Sequence, residues 1–175
     1  RVAQSLIARG LVYGCTCSRQ DLNATRAAGL AGDGGRCRGA GHGPEPNLAW
    51  RLRCEDTVER FEDGLHGVVE QRPFQEHGDV VIRDRNGNWT YQFAVVVDNH
   101  EQGIDVVIRG DDLLASTGLQ IALGRTLGRP QAAHFVHHPL AMKSPGRKLS
   151  KSDGDTGIRA LRASGWKSSE VIGWA

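Results

Sequence analysis

Apolar residues at Val2, Leu6, Ile7 and Leu11 recur at helical spacing, with Gly10 and Gly14 flanking the end of that helix. From Cys15 to Asn47 the apolar pattern breaks up. Glycines at 29, 32, 34, 35, 39, 41 and 43, with Pro44 and Pro46, predict a long loop, interrupted by a short helix over Asp21 to Ala28. Ala49 to Cys54 alternates and predicts a strand. Gly78 to Gln92 predicts a hairpin: Val80, Val81 and Ile82 form one arm, Asn86-Gly87 the turn, and Trp89, Thr90 and Tyr91 begin the return. Phe93 to Val97 is a compact apolar run of the kind found in strands buried on both faces, and Ile104 to Ile108 is a second, after Gly103. Asp111 or Asp112 then caps a helix running to about Leu127, which Gly128 and Pro130 stop. Ala133 to Val136 predicts a short strand. Lys143 to Asp155 is polar and rich in Lys, Ser and Gly. Helices follow from Asp155 or Thr156 to about Ser164, and again from Ser168. Strands alternating with helices predict an α/β fold.

Composition narrows this little. A chain of 175 residues fits one domain, or one domain with an insertion, and can bury a core without disulfides. Its 39% hydrophobic and 24% charged residues exclude a wholly disordered chain. The longest uninterrupted apolar run has five residues, so no transmembrane helix is expected. The net charge of +2 does not demand a nucleic-acid partner, and leaves room for one that uses a local basic patch. The sequence opens at Arg1 within a helical pattern, and is expected to be a piece of something longer.

Cys15, Cys17, Cys37 and Cys54 change the picture more. Cys15 and Cys17 are one residue apart, poor geometry for a mutual disulfide, and no secretion leader is expected. A reducing, cytoplasmic compartment and a metal site are the expected reading, with free thiols in a metal-less loop as the alternative. A metal would also explain how so long a loop is pinned. Cys15, Cys17 and Cys37 supply three thiolates, and a structural zinc takes four ligands. His42, five residues after Cys37, is one candidate for the fourth. Cys54 reads as a core residue of its strand. His134, His137 and His138 read as a strand and its exit rather than as metal ligands.

The densest chemistry lies in Lys148-Leu149-Ser150-Lys151-Ser152, between Gly146 and Gly154. Two ammonium groups on a mobile loop, with hydroxyl and backbone donors, suit a polyphosphate. Brought up by loop closure, they would stabilise charge building on a leaving pyrophosphate. A solvated linker with incidental lysines is the alternative that composition allows.

This pentapeptide resembles the second signature of class I aminoacyl-tRNA synthetases, with Leu149 in the Met place. Tyr91-Gln92-Phe93-Ala94-Val95-Val96-Val97-Asp98, Gly103-Ile104 and Val107-Ile108-Arg109-Gly110-Asp111-Asp112-Leu113 resemble the catalytic core of the glutamyl-tRNA synthetase family. Within it, the likeness is nearest to a short paralogue group that glutamylates queuosine in tRNA(Asp). That rests on Tyr13-Gly14-Cys15-Thr16-Cys17-Ser18-Arg19, on Tyr-Gln at 91–92, and on 154–162. The resemblance covers nearly the whole chain. It implies a Rossmann-type catalytic fold that lacks its N-terminal part, split by an inserted region. Residues 1–14 would end the first half, 15–47 form the zinc loop, 48–88 an acceptor-binding-like insert, 89–142 the second half, and 143–175 the lysine loop and closing helices.

The resemblance also implies roles. Tyr91 and Arg109 would hold glutamate. From the residues alone, Arg109 reads equally as a surface ion-pair partner or as a fork for a carboxylate at a strand end, and Tyr91 as a core aromatic. Lys148 and Lys151 would act on ATP, with Ser150 beside them and Mg accompanying the nucleotide. The paralogue group often has a Tyr ligand four residues before its last Cys, where Asp33 stands here; Asp33 thus joins His42 as a candidate fourth zinc ligand. Asn99 replaces a frequent Asp, and Thr117-Gly118-Leu119-Gln120 replaces Thr-Pro-Arg-Gln; neither departure is expected to touch the substrate residues. No His-x-Gly-His signature occurs within the 175 residues, so the family's other ATP-binding residues would lie before Arg1, and this segment alone is expected not to form adenylate. The implied activity is ATP-dependent formation of glutamyl-adenylate and transfer to tRNA(Asp) bearing queuosine, by a monomer with no membrane partner. The rivals are a catalytic fragment of a true glutamyl-tRNA synthetase and a non-catalytic, zinc-stabilised RNA-binding module.

Overall fold

The computed structural model describes residues 1–129, 131–144, 147–149, 154 and 157–174. In chain order it begins with α1 (Val2–Ala8), β1 (Val12–Cys15), α2 (Arg19–Ala27) and β2 (Ala49–Leu52). Then come β3 (Glu59–Asp63), β4 (Gly67–Gln71), α3 (Pro73–His77), β5 (Val80–Arg83) and α4 (Tyr91–Glu101). β6 (Val106–Gly110), a 3₁₀ segment (Asp111–Ser116), α5 (Thr117–Thr126) and β7 (His134–His138) follow. The last elements are the short ribbon β8 (Met142–Ser144) and β9 (Arg147–Lys148), then α6 (Ile158–Ala163) and α7 (Ser168–Trp174).

The first helix stops sooner than its apolar spacing predicts. Gly10 takes a left-handed φ of +69°, and the chain turns into β1, whose four residues are all buried. β1, β2 and β5 form an antiparallel sheet in the order β1-β2-β5, with Val12 opposite Leu52 and Leu52 opposite Val80. Beyond β5, the Asp84 carboxylate takes the amides of Asn86 and Asn88, so the Asn86-Gly87 turn forms as expected. The return arm is a single bridge, Arg83 to Trp89. The Thr90 hydroxyl then donates to the Val81 carbonyl at 2.7 Å and α4 begins.

The apolar run Phe93 to Val97 is therefore helix, not strand, and Tyr91 opens that helix. Phe93 and Val96 are three residues apart and both face the core, with Val97 packed at its margin. A continuous apolar run carries no period, so the sequence could not decide between the two structures.

The second sheet has the order β4-β3-β7-β6. β3 and β4 are an antiparallel hairpin, whereas β6 and β7 are parallel and in register from Val106 opposite His134 to Gly110 opposite His138. β3 joins β7 in parallel where Asp63 meets Phe135. α5 makes the crossover that a parallel β6–β7 pair requires. The main core gathers Leu6, Leu52, Ile82, Phe93, Leu119 and Leu123, so α1, the first sheet, α4 and α5 share one apolar interior. Each such side chain contributes about 1.5–3 kcal/mol when fully buried. Among the described residues, no helix is long and apolar enough to cross a membrane.

One glycine fixes the loop against β1. The Gly14 amide donates to the His42 carbonyl at 2.9 Å, and a Cβ on Gly14 would come within 2.3 Å of the Gly43 oxygen and 2.7 Å of a Leu48 methyl. Gly14→Ala is expected to cost about 1–3 kcal/mol through overpacking, visible as a lower midpoint in a thermal melt.

Candidate functional site

Cys15 ends β1 and Cys17 lies just beyond it. Ser18 then caps α2: its hydroxyl accepts the Asp21 amide while Asp21 accepts the Ser18 amide, a reciprocal capping box. After α2 the glycine-rich turn doubles back and returns Asp33 and Cys37 to the same point. The side-chain donor atoms of Cys15, Cys17, Asp33 and Cys37 all lie within 4.8 Å of one another, and all four residues are buried. The Cys17 and Cys37 sulfurs are 3.5 Å apart. That is far beyond a disulfide bond, and near the roughly 3.8 Å between two sulfurs on a tetrahedral zinc with 2.3 Å bonds. His42 stays outside the group and is exposed. Cys54 is also outside, half-buried, with its thiol turned to the Leu52 carbonyl.

Asp33 is held in place by the amides of Gly35 and Cys37, each at 3.1 Å, and by the Tyr13 hydroxyl at 3.4 Å. The same hydroxyl donates to Asp79 at 2.9 Å. Burial, and then Asp79, raise the Tyr13 phenol far above its usual range, so it stays a donor. Burial, and next the hydrogen bond with Cys37, push the Cys17 thiol up to about 12. Burial also works against a Cys37 thiolate, but hydrogen bonds from the Thr16 amide and hydroxyl, and then from Cys17 and Cys15, together outweigh it and leave Cys37 below its ordinary value.

Arg51 lies buried beside this group on β2. Burial opposes its charge, but Cys15 and then Asp33 hold its pKa above the usual value. Its Nε is the one buried side-chain polar atom without a partner among the described residues. The quartet's donor chemistry and an adjacent buried cation fit a divalent metal bound by thiolates. The sequence showed the cysteines through their spacing, whereas Asp33 came through the resemblance. Arg51 carries no such signal, because an arginine in an alternating strand reads as outward-facing.

The second group lies on the parallel strands. Arg109 on β6 is 8% exposed, and its donors are matched one by one. Nε donates to His137 Nε2 at 2.9 Å, one terminal nitrogen to Gln120 Oε1 at 2.6 Å, and the other to Thr117 Oγ1 at 2.8 Å. The guanidinium stands 5.1 Å from the Phe135 ring centre. Burial lowers the Arg109 pKa, while the Tyr91 phenol, within hydrogen-bonding reach, and Asp63 oppose that shift. Tyr91 itself is 53% exposed at the start of α4, so it is not the core aromatic that its sequence context suggests.

His137 and Asp63 are completely buried behind Arg109. His137 Nδ1 lies 2.6 Å from one Asp63 oxygen, and the other oxygen takes the amides of Leu65 and His66 at 3.0 and 3.2 Å. Burial alone would raise the Asp63 pKa, but the His137 bond and then these amides hold it at about 2. The carboxylate therefore adds stability above its ordinary value of 3.8, and that contribution fades as the pH falls to about 2. Thr117 and Gln120 hold the arginine, whereas Gly118 and Leu119, the positions that depart from Thr-Pro-Arg-Gln, do not. Gly118 instead gives its amide to Gln71 at 2.6 Å. Asn99 lies near the far end of α4.

β6 and β7 end together at Gly110 and His138, and ligands of parallel α/β sheets bind at such carboxyl ends. The chain leaving β7 runs through the β8–β9 ribbon into the lysine-serine segment. The backbone of Lys148 closes β9. Ser150 and Lys151 lie outside the described residues. Nothing in the local sequence pattern links Asp63, His137, Thr117 and Gln120 to Arg109; the fold alone brings them together.

Against known proteins, residues 1–172 match the family of class I tRNA synthetases (E and Q), catalytic domain. The chain belongs to this family. The Glutamyl-Q tRNA(Asp) synthetase of Pseudomonas syringae pv. syringae (strain B728a) is 41% identical over 151 residues, which cover 86% of this chain and 49% of that protein. Its counterpart in Neisseria meningitidis serogroup C (strain 053442) is 43% identical over 147 residues, covering 81% of this chain and 50% of that protein. The chain thus spans about half the length of these relatives. Among solved structures, the glutamate-tRNA synthetase from Elizabethkingia anophelis superposes with a TM-score of 0.66 at 26% identity, covering 87% of this chain and 35% of that one. A glutamate tRNA ligase from Elizabethkingia meningosepticum, in complex with its amino acid, shares the fold with a TM-score of 0.67 at 24% identity. The class I synthetase catalytic fold expected from the sequence is the fold of this chain.

Proposed function

We propose that this protein is a monomeric, cytoplasmic ligase that activates glutamate with ATP and passes the glutamyl group to the queuosine base of tRNA(Asp). The observation that carries the reading is the placement of Arg109. It lies near the carboxyl end of a parallel strand, while the neighbouring strand leads through the β8–β9 ribbon into the lysine-serine segment. The printed names of the relatives supply the acceptor.

In the reaction, a glutamate carboxylate oxygen attacks the α-phosphorus of ATP, the bond to the β-phosphate bridge breaks and pyrophosphate leaves, its charge shared by the Mg that would accompany the nucleotide; a nucleophile of queuosine then attacks the glutamyl carbonyl and AMP leaves. Arg109 binds a carboxylate of glutamate. Its Nε and one terminal nitrogen are committed to His137 and Thr117; the other terminal nitrogen has Gln120 as partner and a second hydrogen to offer. Tyr91, exposed beside it, orients the amino group. Lys148 and Lys151 neutralise charge developing on pyrophosphate, and Ser150 donates to a phosphate oxygen. Cys15, Cys17, Asp33 and Cys37 hold a structural zinc, which shapes the loop and takes no part in the chemistry.

The test uses the full-length protein. Glutamate-dependent ATP–pyrophosphate exchange, together with labelled glutamate appearing on tRNA(Asp) only when queuosine is present, is the expected result. Glutamate on the 3′ end of tRNA(Glu) would overturn the acceptor, and absence of exchange would overturn catalysis. Lys151→Ala is expected to lower kcat for exchange by about 100-fold with an unchanged circular dichroism spectrum; unchanged exchange would refute the lysine's role. Size-exclusion chromatography with light scattering checks the monomer.

A further inference from the structure

We infer that Asp63 and His137 are positioning residues for the glutamate-binding arginine: they clamp Nε of Arg109 and so aim the terminal nitrogen that Gln120 partners, with its second hydrogen, at the substrate. This rests on the reading of Arg109 given above. An arginine side chain loses about 2 kcal/mol of rotamer entropy when ordered. Buried as Arg109 is, it also needs partners for its charge. A carboxylate placed directly against it would satisfy the charge but would take the forked edge that a substrate carboxylate needs. Here a neutral ring is interposed instead.

The hydrogen bonds fix the protonation. The Nε–H of Arg109 donates, so Nε2 of His137, at 2.9 Å, carries no proton. The ring proton is then on Nδ1 and donates to Asp63 at 2.6 Å. Asp63 cannot turn away, because the Leu65 and His66 amides hold its second oxygen. Phe135, two residues before His137 on β7 and opposite Val107, lies 6.1 Å from the imidazole with its ring tilted only 17° from it, and closes that side of the ring. The negative charge of Asp63 thus reaches Arg109 through the imidazole, strengthening Nε2 as an acceptor while occupying only one of five N–H groups. The clamp ties three neighbouring strands: β3 carries Asp63, β7 His137 and β6 Arg109.

The test is steady-state ATP–pyrophosphate exchange by the full-length protein, with glutamate and ATP varied separately. His137→Ala and Asp63→Asn are expected to raise KM for glutamate by about 10- to 100-fold, as is typical when the support of a binding group is removed. KM for ATP and kcat should stay within about threefold, because the lost interaction is ground-state binding. His137→Gln, which can still accept from Nε, should recover most of the lost affinity. A joint fall in kcat and rise in both KM values, without rescue by Gln, would show a merely structural role and overturn the inference. Arg109→Ala separates the two levels. If it leaves KM for glutamate unchanged, the parent reading fails. If it raises KM while the His137 and Asp63 variants do not, only the positioning role fails. Should the alanine variant not fold, nitrogen-15 NMR of the wild-type ring decides: a neutral, Nδ1-protonated His137 is expected, and an imidazolium or Nε2-protonated ring overturns the clamp.

Discussion

Arg109→Ala in the full-length protein is expected to lower kcat/KM for glutamate by about 10²- to 10³-fold. Charge-assisted, forked hydrogen bonds to a carboxylate are the strong ones, and each factor of ten corresponds to about 1.4 kcal/mol. The loss should fall mostly on KM. The variant also leaves His137, Thr117 and Gln120 with unused acceptors in a closed interior. A lower thermal midpoint should therefore accompany the kinetic loss. Arg109→Lys keeps the charge but not the planar fork, and should recover only part of the affinity. Exchange kinetics at varied glutamate, with a thermal melt of each variant, check this. A change in kcat/KM below threefold would remove Arg109 from the substrate site.

Metal removal is the second large effect. The purified protein is expected to hold about one equivalent of zinc per chain, measured by elemental analysis. Chelation, or Cys17→Ser, should release it. Structural zinc contributes about 10–16 kcal/mol of apparent binding energy in small peptides. Here the consequence should be concentrated in the loop between β1 and β2. That loop has little apolar core of its own beyond Tyr13, Cys15, Cys17, Cys37 and the flanking Leu22 and Ala49. Rapid tryptic cleavage at Arg36 or Arg38 in the stripped protein, blocked by added zinc, is the expected readout. A protein isolated without metal, with identical protease resistance before and after chelation, would overturn the site. Asp33→Ala should weaken zinc retention less than Cys17→Ser, since a carboxylate is the hardest of the four ligands.

How much of this was legible in the sequence depended on which signal was local. α2, β2, β6 and β7 were found near their places, because alternation, capping residues and turn glycines act within a few positions. The β3–β4 hairpin was missed, and its burial pattern shows why. Glu59 and Asp63 face inward while Val68 is 61% exposed, the reverse of the usual rule. Both acids are buried because distant partners await them: Arg125 grips Glu59 with bonds of 2.7 and 2.8 Å, and His137 meets Asp63. Hydrophobic patterning has no access to such pairings. The cysteine spacing and the lysine-serine signature were legible as chemistry. Arg109 reads from its residues alone as an ion-pair partner or a carboxylate fork, its link to glutamate comes only through the resemblance, and the residues that hold it only through the fold.

The buried Arg51 beside the three cysteines and Asp33 also sets the charge balance of this loop. Three thiolates and a carboxylate leave a divalent ion's site doubly negative, and Arg51 is the buried cation that answers it. A neutral ligand at position 33 would halve that excess, to the single negative charge that Arg51 alone balances. Positions 33 and 51 are therefore coupled through charge, and a substitution that alters the charge at either one changes the field that the other sits in.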